Sequence, residues 1–448
     1  MGEIVSEVKC NINAKEGIVT IDNQAMVFHC NHFNRNLQAT IENCRHIDNK
    51  KILINSAAEV TFLGLMQHFV ENMDMTTSQR LEYAESVYKY CGFGLLPLSQ
   101  VEMENFDLTI SHSHYGRALA LNFEKRHQAG EYFDLGFAIG ALSASFMQPF
   151  NGSLSKNSIS KGNSTTTIHI KKSEDFRYLF ELDLYNEYKA ESKGITAEIP
   201  ARITGDNIDE DTIISAVSQA PLFGNEQGLI PAFGVELTRH YADYYNLISF
   251  HFEQQLTKKL EQRPALTDLI VYDYPALFYY QQYIDMEGMA LSRTLLIESG
   301  HICGFNTMGG IMNSDVWDNL IMPMIKTHED WLHGIIAAIN ALGWGIWRVI
   351  ELVAGEKLVL RVYRPYESLG YLRKFGLADH PVDYLVAGVG ASLMNLLYEG
   401  DITKKPTLDL DYYHKVNRSK TSFWSEQSAC VAMGDDYSEI CVTRMKRG

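Results

Sequence analysis

No uninterrupted apolar stretch reaches the ~18 residues of a membrane-spanning helix, so a helical span is not expected. The opening segment, MGEIVSEVKC, lacks the apolar core of a secretory signal, and the expected location is cytoplasmic. Basic residues are in deficit, 39 against 55 acidic, for a net charge of -16. That balance argues against nucleic acid and anionic membrane as partners, since both need a basic surface. The seven cysteines (Cys10, Cys30, Cys44, Cys91, Cys303, Cys430 and Cys441) are odd in number, which argues against a disulfide framework. Also missing are a phosphate loop, a dinucleotide fingerprint, a nucleophile elbow and a zincin helix.

What the chain has is length and repetition. Its 448 residues exceed one ordinary core. CGFGLLPLSQVEMENFDLTISHSHY (Cys91–Tyr115) recurs at an offset of 251 residues as LGWGIWRVIELVAGEKLVLRVYRPY (Leu342–Tyr366). Gly92, Phe93 and Gly94 meet Gly343, Trp344 and Gly345, and Tyr115 meets Tyr366. Each copy reads as a glycine turn after a helix, then a hairpin. The expected strands are 95–101 and 107–114 in one copy, 346–352 and 357–364 in the other. A helix follows each hairpin, over 131–146 with Gly136 and Gly140, and over 382–398 with Gly388 and Gly390. Small residues there permit close helix packing at a cost in helix propensity. Upstream, KKILINSAAEVTF (Lys50–Phe62) matches RTLLIESGHICGF (Arg293–Phe305) at an offset of 243. Duplication on this scale means tandem domains. The expected architecture is α+β, with two homologous domains at 1–172 and 264–448, each with helices packed on an antiparallel hairpin sheet. Residues 173–263 are expected to be a linker and helical insert.

Several clusters carry chemistry. His112 and His114 alternate with Ser111 and Ser113, which on a strand puts both imidazoles on one half-apolar face, a core edge or a pocket wall. His29 with His32, and His240 with Asp243, are three apart, as on one helical face. Helix capping and an amphipathic core helix are the plain readings of these pairs. Aromatics gather at Tyr241, Tyr244 and Tyr245, at Phe278, Tyr279, Tyr280 and Tyr283, and at Trp344 and Trp347. Such density suits an interface, or a pocket for a flat apolar ligand with a few polar anchors. The C-terminal hairpin holds Glu426, Cys430 and Cys441, either a partial zinc or iron site or two buried thiols.

The order helix, glycine-flanked turn, hairpin, glycine helix, then a hairpin with Glu, Cys, Gly and Cys resembles the 4-vinyl reductase-type domain. The resemblance is carried by GFAIGAL (Gly136–Leu142) and CVAMGDDYSEIC (Cys430–Cys441) and covers 50–170 and 293–444. It implies a hydrocarbon- or aromatic-binding domain, in some members a sensor with zinc on a Glu and three Cys beside a small hydrophobic pocket. Cys430 and Cys441 take two of those Cys positions, Glu426 sits one residue off the usual spacing, and Asp383 stands where a third Cys is expected. Ser158 and His169 replace the cysteines in the first copy. Such domains pair as homodimers, which implies an intramolecular pseudo-dimer here. The expected function is binding of a small apolar or aromatic molecule in a sensing or accessory role, and a protein partner or a homo-oligomer is also expected. Its site residues are His112, His114, Tyr115, Trp344 and Tyr366, and its metal ligands Cys430, Cys441, Glu426 and Asp383. The rival expectation is a metal-dependent enzyme, with zinc or iron, acting on a small organic substrate.

Overall fold

The computed structural model describes residues 8–101, 106–121, 126–174, 193–202, 205, 207–266 and 290–444. The aromatic cluster at Phe278–Tyr283 lies outside the described residues. Strands β1 (Cys10–Asn13), β2 (Ile18–Ile21) and β3 (Gln24–Cys30) lead into helices α1 (Asn31–Asn43), α2 (Asn49–Glu71) and α3 (Thr77–Tyr90). Short strands β4 (Gly94–Leu95), β5 (Leu108–Ile110) and β6 (His112–Ser113) precede α4 (His114–Ala120) and α5 (Tyr132–Phe146). Strands β7 (Phe150–Leu154) and β8 (Thr166–Lys172) close this first half. After α6 (Glu210–Gln219) come β9 (Ile230–Ala232), β10 (Val235–Tyr241), α7 (Ala242–Gln262), α8 (Leu291–Cys303) and α9 (Asp330–Ile339). Strands β11 (Ile346–Val353) and β12 (Lys357–Tyr363), helices α10 (Tyr366–Phe375), α11 (Tyr384–Tyr398) and α12 (Leu410–Asn417), and strands β13 (Phe423–Ala429) and β14 (Ser438–Arg444) follow. Helices and small antiparallel sheets are mixed throughout, an α+β fold.

The second-half sheet runs β11-β12-β14-β13. In the first half the same order is split into β4-β6 and β5-β8-β7. The expected strand over 95–101 stops at Leu95, because Pro97 has no N–H for a ladder and a 3-10 turn begins at Leu98. The expected strand over 107–114 breaks at Ser111, and His114 opens α4.

The two halves meet in a five-stranded sheet, β1-β2-β3-β10-β9. The segment expected to be linker and insert therefore supplies a central strand as well as a helix. β10 pairs antiparallel with β3, Leu237 opposite Cys30 and Tyr241 opposite Met26, with Phe28 facing Arg239 at the middle. The Arg239 guanidinium lies 4.4 Å from the centre of the Phe28 ring.

Each strand also docks on the glycine turn of the other half. The Phe28 N–H donates to the Leu342 carbonyl at 3.1 Å, and the Arg239 N–H to the Cys91 carbonyl at 2.9 Å. The Gly345 N–H donates to Gly17 and the Gly94 N–H to Gly228. Strand positions in these contact pairs differ by 211 residues and turn positions by 251. Gly92 and Gly343 have φ of 85° and 87°, which favours glycine. A Cβ on Gly343 would stand 2.2 Å from the Met26 carbonyl oxygen, and one on Gly92 2.9 Å from that of Leu237. The repeated glycines therefore seat the crossing strands.

The glycine helices form as expected and pack on the upstream repeat. A Cβ on Gly136 would lie 2.4 Å from the Ile54 carbonyl oxygen, and one on Gly388 2.2 Å from that of Ile297. Gly390 faces the sheet, and its nearest neighbours are the Leu360 and Val442 side chains at 3.4 Å. Gly388→Ala will lose ~1–3 kcal/mol to overpacking, outweighing the ~1 kcal/mol gain in helix propensity. Gly390→Ala will be neutral or stabilising, and urea unfolding of the two variants separates the cases.

Candidate functional site

Strands β3 and β10 are central in their sheet, and each carries a wholly buried histidine near its C-terminal end. His29 stacks on Phe33 at 4.1 Å and on Trp344 at 5.1 Å between ring centres, with Tyr245 edge-on at 4.6 Å. Its Nε2 lies 3.4 Å from the Tyr366 hydroxyl and its Nδ1 3.5 Å from the Cys303 Sγ. His240 stacks on Tyr244 at 4.6 Å, with Phe133 at 4.4 Å and Phe93 at 4.8 Å. Its Nε2 lies 3.1 Å from the Tyr115 hydroxyl. Both tyrosines sit in the first turn of the helix after the hairpin, and each reaches the histidine supplied by the other half.

Burial holds both imidazoles well below their usual pKa. For His240, repulsion from His29 and His114 adds to that burial. Burial also pushes the Tyr115 and Tyr366 hydroxyls well up. At neutral pH each site thus pairs a neutral imidazole with a protonated phenol inside aromatic walls, a set able to donate to or accept from one polar group.

A third imidazole ties the two sites together. The Asn34 amide donates to His114 Nε2 at 2.9 Å and to the Thr238 hydroxyl at 3.1 Å, and accepts from Tyr245 at 2.6 Å. Burial, then the nearby Arg117 charge, push His114 down to about 3. His112 is half-buried and bonds the adjacent Ser111 hydroxyl at 3.0 Å. The two histidines expected on one strand face thus part company, because the chain turns into α4 between them.

A cavity of about 10 Å³ lies beside the His29 site, between Phe33, Tyr245, Leu296, Tyr366, Glu367 and Tyr384. It is of the size that holds one water. Glu367 caps the start of α11 through the Leu385 N–H, and burial, then the Asp383 charge, push its carboxyl well up. In the first half Asp134 accepts from Tyr88 and from Ser113 at 2.6 Å, and burial pushes it up to about 7.

The four expected metal ligands fall into two separate pairs. Cys430 and Asp383 are buried together, the thiol donating to the carboxylate at 3.3 Å, with Ser368 and Ser438 donating to the same group. Burial, then the Asp383 charge, push the Cys430 thiol up to about 12. Glu426 faces Cys441 in the β13–β14 register. Ile440 and Val442 turn inward, so strand alternation points Cys441 outward, away from α11. The residues do not fit a shared ion, since the sheet stands between the pairs. Among the described residues no group of three or more His, Cys, Asp or Glu is placed to hold a metal.

Of the expected ligand-site residues, His114, Tyr115, Trp344 and Tyr366 converge here and His112 does not. The sequence does not mark His29 and His240 as a pair, because each reads as a helix residue beside its neighbour three positions on. The signal was the parallel between MVFHCNHF and LTRHYADY, with His29 and His240 at an offset of 211.

No family model matches the chain, and no curated protein matches it. Among solved structures it is similar to the phenol-responsive sensory domain of the transcription activator PoxR, in complex with phenol. That similarity has 13% identity and a TM-score of 0.25 over 36% of this chain and 69% of that chain. No described helix is long and apolar enough to cross a membrane.

Tyr115→Phe will cost ~1–3 kcal/mol by leaving His240 Nε2 buried without its partner, measured by chemical unfolding. The titrations have opposite signs. His29 and His240, with lowered folded-state pKa, contribute stability that is lost as pH falls below 6.5. Asp134, raised from 3.8 to about 7, contributes stability that is lost as pH rises across that interval. Asp134→Asn will therefore gain on the wild type between pH 4 and 7 (~4 to ~7), and His240→Gln will lose less below 6.5.

Proposed function

We propose that the chain is a small-molecule-binding protein with a sensing role, built from two duplicated units paired within one chain. The observation that carries this reading is the crossed pair of contacts, Tyr366 with His29 and Tyr115 with His240, each inside an aromatic enclosure. The recurrence of the strand-to-turn hydrogen bonds at offsets of 211 and 251 supports duplication and an intramolecular pseudo-dimer. On this reading the units extend to the strands that precede α1 and α7, so the second begins near Gly228, before the boundary expected at 264.

The ligand class follows from the walls. Stacked rings take a small aromatic or apolar molecule, and the imidazole–phenol pair takes its one polar group. The sites have diverged, with Trp344 and Cys303 around His29, and Phe93 and Phe133 around His240. The enclosure is nearly filled, so a ligand must displace aromatic side chains that also hold β3 and β10. That linkage is what makes the site suited to sensing: occupancy changes how the halves grip each other.

Thermal melting and tryptophan fluorescence of the full chain with phenol and toluene test this. We expect saturable binding of at least one, with a raised melting midpoint. Phenol binding will weaken about fivefold to tenfold in Tyr366→Phe, while toluene binding holds. No saturable response to either probe sinks the reading.

A further inference from the structure

A groove of about 780 Å³ opens on the second half, apart from the imidazole sites. Its apolar walls come from Val217 on α6, Phe233 on the β9–β10 turn, Val316 and Leu408. In the first half the matching turn is tied down by polar contacts. There the β2–β3 turn holds Asp22 and Asn23 at φ of 48° and 61°, residues that tolerate this conformation. Asp22 accepts from the Tyr83 hydroxyl at 2.6 Å and meets His68 Nδ1 at 2.9 Å. At an offset of 211 the β9–β10 turn has Phe233 and Gly234 at φ of 53° and 74°. A phenylalanine there is strained by ~1–2 kcal/mol, and it spends that strain lining a recess.

The polar groups in the recess point to a ligand. The buried Asn313 Oδ1 has no hydrogen-bond partner, while its Nδ2 is fixed on the Pro406 carbonyl at 2.9 Å. His32 also lines the groove. Burial, then the Arg35 charge, push that imidazole down to about 4, so it is neutral at physiological pH. The lining contains no Lys or Arg, and Asp315 is its one carboxylate, so an anion finds no counter-charge. The volume lies within the ~300–1,000 Å³ of small-molecule sites. The backbone is unusual as well: π-helical turns at Gly304–Met308 and Trp317–Ile321 flank the groove, a geometry found often at functional sites.

We propose that this groove is a second binding site, for a neutral, mostly apolar ring compound that carries an O–H or N–H donor. The donor meets Asn313 Oδ1, His32 offers a second polar contact, and the rings lie against Phe233 and Leu408. The groove communicates with the first site by short paths. His32 follows His29 at the start of α1, and Cys303, which touches His29, immediately precedes the first π-helical turn. The site goes beyond the function proposed above and stands independently of it.

Fluorescence titration of the full chain with 2-naphthol tests the assignment, with 2-methoxynaphthalene lacking the donor and 2-naphthoate adding a negative charge. We expect saturable 2-naphthol binding, about tenfold weaker for the methoxy compound, and weakest for the naphthoate. Ala216→Trp, which plugs the groove from half-buried α6, will abolish it, and Tyr366→Phe will leave it unchanged. Val316→Trp, at a position 51% exposed, is the second plug should the first variant misfold. Absence of saturable binding, or binding indifferent to both plugs, overturns the proposal. Loss in Tyr366→Phe but not in the plugged variants also overturns it, and places the probe at the imidazole site instead.

Discussion

The antiparallel pair β3–β10 is the constraint on which the rest depends. It runs through the middle of the molecule and delivers one histidine into each half. The glycine turns, the aromatic enclosures and the Asn34 network all presuppose strands in this register. A slip of one residue would turn every side chain on the strand to the opposite face. It would carry His29 and His240 away from Tyr366 and Tyr115. The middle pair is unlike, Phe28 against Arg239, and the guanidinium gains from the ring face.

Buried carboxylates do a second job that the sequence makes easy to misread. Glu131 and Asp383 stand at the heads of the two glycine helices, and each collects donors from the loop before the last strand. Glu131 accepts from the Ser160 N–H and the Thr166 hydroxyl, both at 2.8 Å, and Asp383 accepts from Ser438 and Cys430. These clamps satisfy charges that burial would otherwise make costly. Asp383 and Cys430 stand 47 residues apart along the chain, and the fold brings them together as a thiol donating to a carboxylate.

Much of the architecture was legible because repetition is visible without coordinates. The glycine turns recur at an offset of 251 residues and the glycine helices close to it, and both took the expected form, apart from the interrupted first hairpin. Pro97 and Ser111 explain that interruption locally. The strand pairing was not legible, since β3 and β10 share little beyond a histidine ahead of a helix. Tyr115, Trp344 and Tyr366 stand out through the repeat, whereas the histidines they enclose lie outside the repeated stretch. Which face Cys441 occupies depends on the strand register, a long-range property that composition and spacing do not carry.

The distance along the chain between β3 and β10 has a consequence for how the molecule is made. At ~5–20 residues per second, synthesis of the ~200 residues that separate the two strands takes ~10–40 s. Throughout that interval β3 is paired on one side with β2, and its other edge lacks the native partner. Its histidine also waits for Trp344 and Tyr366, which emerge later still. The nascent first half must therefore persist with an open sheet edge and an unfilled aromatic socket, and its safe completion depends on the second half arriving before another chain's strand does.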